Sequence, residues 1–142
     1  MTTTAATPTT DSNSTPAPKR GAMFWAGWVL TVLLSLMLAM GGVMNVTRSE
    51  TAVKGLNQYG YPPGVLVPLG VVLLVSVALY LFPRTAVLGA ILLTGWLGGA
   101  VNTHVRAGEP WFMAVIFGAL VWLALYLRDA RLRALVPLRS VG

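Results

Sequence analysis

The sequence predicts an all-α integral membrane protein, a four-helix transmembrane bundle of antiparallel, up-down topology. Three observations predict it. Of 142 residues, 56% are hydrophobic and only 10% are charged, with a mean hydropathy of +0.72. A soluble domain carries about 25% charged residues. The apolar residues fall into four blocks, each close to the roughly 20 residues that cross a hydrocarbon core. The cations behind the net charge of +6 flank those blocks and form no basic stripe with interleaved aromatics. They therefore read as membrane topology rather than nucleic-acid binding.

Residues 1–22, rich in Thr, Ser and Pro, bury almost nothing and are expected to form a disordered cytoplasmic tail. The membrane domain follows over 23–127, with helices at about 23–45, 64–82, 85–103 and 110–127. The first has Trp25 and Trp28 near its start, where indoles favour the interface. Lys19-Arg20 before it and Ala39-Met40-Gly41 within it imitate a signal peptide. The apolar run is longer than the roughly 7 to 15 residues of a signal core, so an uncleaved helix is expected.

The longest loop, 47–63, carries Arg48, Glu50 and Lys54, and Glu50 to Gln58 can form a short interfacial helix before Gly60. Pro62 and Pro63 suit the start of the second helix, where a missing N–H is harmless. Phe82-Pro83-Arg84-Thr85 then leaves room only for a hairpin between helices two and three. Helix three is expected to run out at Asn102-Thr103-His104. Pro110 opens helix four, with Glu109 at its positive dipole end. Residues 128–142 form a basic cytoplasmic tail.

Glycine is a poor helix residue in water, by about 1 kcal/mol relative to alanine. In lipid it permits close helix approach, on which association depends. Gly41 and Gly42 in the first helix, and Gly89, Gly95, Gly98 and Gly99 in the third, are therefore expected to pack helices. The third helix becomes the expected centre of the bundle, its glycines packing helices rather than cradling a ligand.

Four crossings place both termini on one side with Arg84. Lys19, Arg20, Arg84, Arg128, Arg131, Arg133 and Arg139 gather there, against Arg48, Lys54 and Arg106 opposite. The positive-inside bias makes the richer side cytoplasmic.

The chain has no cysteine, which excludes disulfides, thiol redox chemistry and thiolate metal sites. A single histidine disfavours a haem with two axial imidazoles, and no metal site is expected. No carboxylate pair, activated nucleophile or phosphate-binding loop is present, so the reading leans away from an enzyme.

Polar residues gather instead at the non-cytoplasmic helix ends. Asn45, Tyr59, Asn102, His104 and Arg106 are the candidate ligand-binding residues. His104 suits a proton acceptor or hydrogen-bond partner for a lipid-soluble carbonyl such as a quinone, assisted by Arg106 or Tyr59. The plainer alternative is that His104 only hydrogen-bonds helix-end carbonyls. Asn45 and Thr94 can each bond across helices.

The run YLFPRTAVLGAILLTGWLGGAVNTHVRAGEP, with GYPP before it and LYLRDARLRALVPLR after it, resembles the DoxX-like family of small bacterial membrane proteins. The resemblance runs from Met23 to Arg139. It implies a four-helix membrane bundle in a bacterial cytoplasmic membrane. It also implies kinship with membrane subunits of a thiosulfate:quinone oxidoreductase and with redox or oxidative-stress complexes. Many relatives carry a lysine where Asn45 stands and a glutamate near Leu73. Their absence here weakens a proton-transfer reading.

The expected function is a non-catalytic subunit or accessory protein of a membrane redox or stress-response complex. Its partners are the lipid bilayer, subunits of that complex and a second copy of the chain, with no nucleic acid and no cofactor unless a quinone. The alternative is a quinone or small-lipid binder near His104. A small transporter or channel is disfavoured, because the helices supply no charged intramembrane pathway.

Overall fold

The computed structural model describes residues 21–135. The tail expected over 1–22 lies outside them except for Gly21 and Ala22, and Lys19, Arg20 and Arg139 are outside as well. Six α-helices follow: α1 (Ala22–Val46), α2 (Glu50–Gln58), α3 (Leu66–Leu81), α4 (Ala86–Ala107), α5 (Phe112–Arg128) and α6 (Ala130–Leu135). A 3-10 turn, Pro63–Val65, leads into α3, and no strand occurs among the described residues.

Ala22–Val46, Pro63–Leu81 and Ala86–Ala107 are long and apolar enough to cross a membrane, whereas Phe112–Arg128 is apolar but shorter. The four long helices form a ring of neighbours. α1 packs against α3 and α5, and α4 closes the ring between the same two. α4 therefore lies across from α1 and is not the hub expected of it. Leu34, Leu73, Tyr80, Ala90, Leu93, Val121, Ala124 and Leu125 fill the interior. Bulky apolar side chains such as Leu33, Leu36, Val72 and Ile91 point outward, as expected of surfaces bathed in lipid rather than water.

Glycine sets the closest approaches, though only some of those expected to do so. A Cβ at Gly89 would lie 2.2 Å from the Tyr80 backbone nitrogen, so α3 and α4 meet backbone to backbone beside their hairpin. One at Gly42 would lie 2.8 Å from the Leu74 side chain. Two further contacts belong to glycines not singled out from sequence. Gly70 would meet the Gly42 carbonyl at 2.7 Å, and Gly27 the Arg128 nitrogen at the same distance. By contrast, Cβ atoms at Gly41, Gly95, Gly98 and Gly99 would meet nothing within 4 Å. These four make no close helix contact within the chain.

Three hydroxyls inside the apolar helices bond back one turn. Thr31 donates to Gly27, Ser76 to Val72 and Thr94 to Ala90, which satisfies each without a partner helix. The buried Tyr80 hydroxyl donates to the Val121 carbonyl at 2.8 Å. Trp96 Nε1 donates to the Leu69 carbonyl at 3.3 Å, and Trp122 Nε1 to Thr94 Oγ1 at 2.9 Å. Thr94 thus bonds across helices as expected. Trp122 serves as an interhelical tie.

α2 occupies the segment read from the sequence. Ser49 caps it by accepting from the Ala52 N–H at 3.3 Å. Glu50 and Lys54 pair one turn apart at 3.7 Å, both exposed, a contribution of no more than a few tenths of a kcal/mol. Leu56 is its buried anchor. The end of α4 departs from expectation. The helix runs one further turn past Asn102-Thr103-His104, to Ala107. It stops at Gly108, which takes φ 72°. Gly108 N–H bonds the Val105 carbonyl and Glu109 N–H the His104 carbonyl. That paired closure needs a left-handed residue, which glycine supplies and Asn102 does not have to.

Candidate functional site

The stretch of α4 from Gly95 to His104, the start of α3 and one face of α2 border a cleft of about 400 Å³ at one end of the ring. Leu56 of α2 and Leu66 and Leu69 of α3 form one apolar wall. On α4, Gly95, Trp96, Gly99 and Ala100 form the facing wall, with Thr103 and His104 beyond them. The open space above Gly95 and Gly99 is therefore the cleft itself. At i, i+4 spacing their missing side chains leave a flat strip of helix backbone beside the Trp96 indole.

The polar end is built by residues far apart in sequence. Tyr59, just beyond α2, packs its ring 5.6 Å from the His104 ring at 53°. Its hydroxyl donates to Glu109 Oε2 at 2.5 Å, and Gln58 Nε2 donates to Glu109 Oε1 at 2.8 Å. Glu109 thus latches the α2 end to the α4–α5 loop. It lies outside α5, which starts at Phe112 after Trp111 and has no acidic residue in its first turn, so the expected dipole role is not what this carboxylate does. The hydrogen bond to Glu109, then burial, then the negative charge hold the Tyr59 phenol above its usual value of 10.0.

Thr103 Oγ1 donates to the Gly99 carbonyl at 3.0 Å and lies 2.7 Å from the Tyr61 hydroxyl. A threonine has one proton to give, so Tyr61 is the donor of the second bond. His104 Nδ1 lies 2.7 Å from the Ala100 carbonyl. A carbonyl can only accept, so the neutral ring carries its proton on Nδ1 and leaves Nε2 as an acceptor. The plainer expectation for His104, a bond to a helix carbonyl, therefore describes one of its nitrogens and leaves the other for chemistry.

Of the five candidate residues, Asn45, Tyr59 and His104 line the cleft. Arg106 faces an adjoining space of about 130 Å³, shared with Gln58, Tyr59 and Tyr61. Asn102 is exposed and lines neither, because it sits on the outer face of α4. Gly95, Gly99 and Trp96 were not read as site residues. The signal was their common face with Thr103, one and two turns along the same helix. Leu73, near which relatives carry glutamate, is 1% exposed and closes the interior with a hydrocarbon side chain. Among the described residues, no group of three His, Asp or Glu could hold a metal ion.

An all-helical chain with apolar helices of spanning length is a small membrane protein, here with an apolar cleft at one helix end. The chain belongs to the DoxX-like family, whose model matches residues 29–127, from early α1 to the end of α5. No curated protein and no solved structure matches it.

Proposed function

We propose that this protein binds a quinone, or a similarly flat lipid-soluble carbonyl compound, in the cleft, and serves a membrane redox or stress-response complex as a non-catalytic accessory subunit. One observation carries the reading: the strip over Gly95 and Gly99, beside Trp96, is empty space facing the apolar wall of α2 and α3. A planar ring lies against such a strip without displacing protein atoms. Its size falls within the roughly 300–1,000 Å³ of ordinary ligand pockets. A quinol hydroxyl donates to His104 Nε2, and the apolar walls take the isoprenoid tail. With Asn45 and Leu73 replacing the charged pair of relatives, the cleft holds its ligand rather than moving protons through the bundle.

In this reading α5 is a fourth crossing. Its 17 residues reach about 26 Å, close to a hydrocarbon core, and Trp111 and Tyr126 mark its ends. The bundle is then antiparallel and up-down in the bacterial cytoplasmic membrane, with both termini in the cytoplasm and the cleft on the far side. The open faces at Gly41 and Gly98 favour close contact with a second copy or a complex subunit.

The test is extraction of the protein in native lipid discs, with chromatographic measurement of bound quinone. Wild type is expected to retain quinone. His104→Ala is expected to weaken retention of the reduced, quinol form about tenfold, the worth of one hydrogen bond to a buried group. Gly99→Leu adds four carbons of about 30 Å³ each, close to a third of the cleft, and is expected to abolish retention. Retention unchanged in both variants would refute the site. Co-purification of a redox subunit tests the accessory role separately.

A further inference from the structure

At the opposite end of the ring, a second cavity of about 490 Å³ is bordered by Trp28, Arg84, Arg128 and Arg131. Four separate segments bring these residues together: α1, the α3–α4 turn, the end of α5 and α6. Arg128 is 8% exposed. Its guanidinium sits 4.8 Å from the Trp28 ring centre and 4.7 Å from that of Tyr80. One amino group donates to the Tyr80 carbonyl, and the other, Nη1, is buried with no hydrogen-bond partner among the described residues.

The groups in direct contact with this guanidinium are neutral, and Asp129, the next residue, attracts it without forming an ion pair. Among the described residues the only ion pair is Lys54 with Glu50, at the other end of the molecule. A buried charge without a counter-ion is costly, and partners that complete its hydrogen bonds remove much of that cost. Asp129 borders the same cavity, but its Oδ1 accepts from the Arg131 N–H at 2.9 Å, capping α6. It offsets one positive charge of three. Arg133 points elsewhere, donating to the Leu127 carbonyl at 2.6 Å and to that of Tyr126 at 3.3 Å.

We propose that Arg84, Arg128 and Arg131 form a site for the phosphate of an anionic phospholipid headgroup. The inference rests on the membrane location of the chain and not on the quinone reading. The cavity lies where helices end, the depth at which headgroups sit. Guanidinium groups match phosphate oxygens in charge and in bidentate geometry. The exposed Arg84 and Arg131 meet the phosphate first, and Arg128 is the fixed cation behind them, held by two aromatic faces. Phe24, Trp28 and Leu125 supply apolar wall for the glycerol and upper acyl chain.

The experiment is native mass spectrometry of the full chain in mild detergent, titrated with phosphatidylglycerol and, separately, with phosphatidylcholine. Phosphatidylglycerol is expected to bind at least tenfold more tightly. Arg84→Gln with Arg131→Gln, both exposed, is expected to weaken it about 25-fold, near fivefold per arginine. Arg48→Gln with Lys54→Gln removes the same charge from the other end and is expected to change nothing. Equal binding of the two lipids would overturn the proposal, as would equal losses in the two double variants. Inorganic phosphate alone displacing bound phosphatidylglycerol at millimolar concentration would assign the cavity to free phosphate and overturn the lipid assignment.

Discussion

Two glycines six residues apart on α4 are expected to respond to the same substitution with opposite signs. At Gly89 an added Cβ would sit 2.2 Å from Tyr80 N and 2.5 Å from Tyr80 Cα, against an ordinary contact of about 3.5–4.0 Å. Backbone atoms cannot swing aside, so α3 and α4 must separate by on the order of 1 Å around the buried Tyr80. Such overpacking costs about 1–3 kcal/mol. At Gly95 the Cβ meets nothing, and alanine recovers up to about 1 kcal/mol of helix propensity. The two variants should therefore differ by about 1–4 kcal/mol. At about 3 °C per kcal/mol for a chain of this size, their melting temperatures should lie on the order of 10 °C apart. Thermal unfolding followed by far-ultraviolet circular dichroism in one mild detergent measures the difference. Equal losses would show Gly95 packed against a helix, and the cleft would not be open space. A Gly89→Ala protein as stable as wild type would show that α3 and α4 do not meet there.

The latch and the end of α4 yield two more expectations. The Tyr59 phenol, held above its ordinary value chiefly by its bond to Glu109, keeps its proton longer in the folded state. Its contribution to stability is thus complete below pH 10 and is lost as pH rises through the elevated value. Glu109→Gln should bring the phenol back toward its ordinary range, and a tyrosine-resolved NMR titration following Tyr59 would show it. No downward movement would mean that the carboxylate does not hold the phenol. Gly108→Ala forces an L-residue to φ 72° and should cost about 1–2 kcal/mol. An unchanged melting temperature would place the end of α4 elsewhere.

Much of the architecture was legible because membrane spans are written in contiguous stretches. The apolar blocks located α1, α3, α4 and α5, and the segment Glu50 to Gln58, read as a short helix, is α2. Asn45, Tyr59 and His104 line one cleft, since all three lie near helix ends that meet. Asn102 was misplaced because neighbours in sequence point in different directions around a helix, about 100° per residue. The end of α4 was set too early because polar residues at a membrane surface resemble a stop, whereas the actual stop is the left-handed Gly108.

The sequence by itself determined the class of protein, the approximate positions of its apolar helices and the uneven distribution of its cations, all of which follow from composition along the chain. The tertiary structure alone decided which face of each helix looks inward. In water, polar and apolar residues separate onto opposite faces and announce that choice. Here the surroundings of the bundle are as apolar as its interior, so Leu34 is buried and Leu33 exposed with nothing in their chemistry to distinguish them. Only the packed helices separate Gly89, which joins α4 to α3, from Gly95 and Gly99, which leave a cleft. They alone bring Glu109 to Tyr59, and Arg128 between Trp28 and Tyr80.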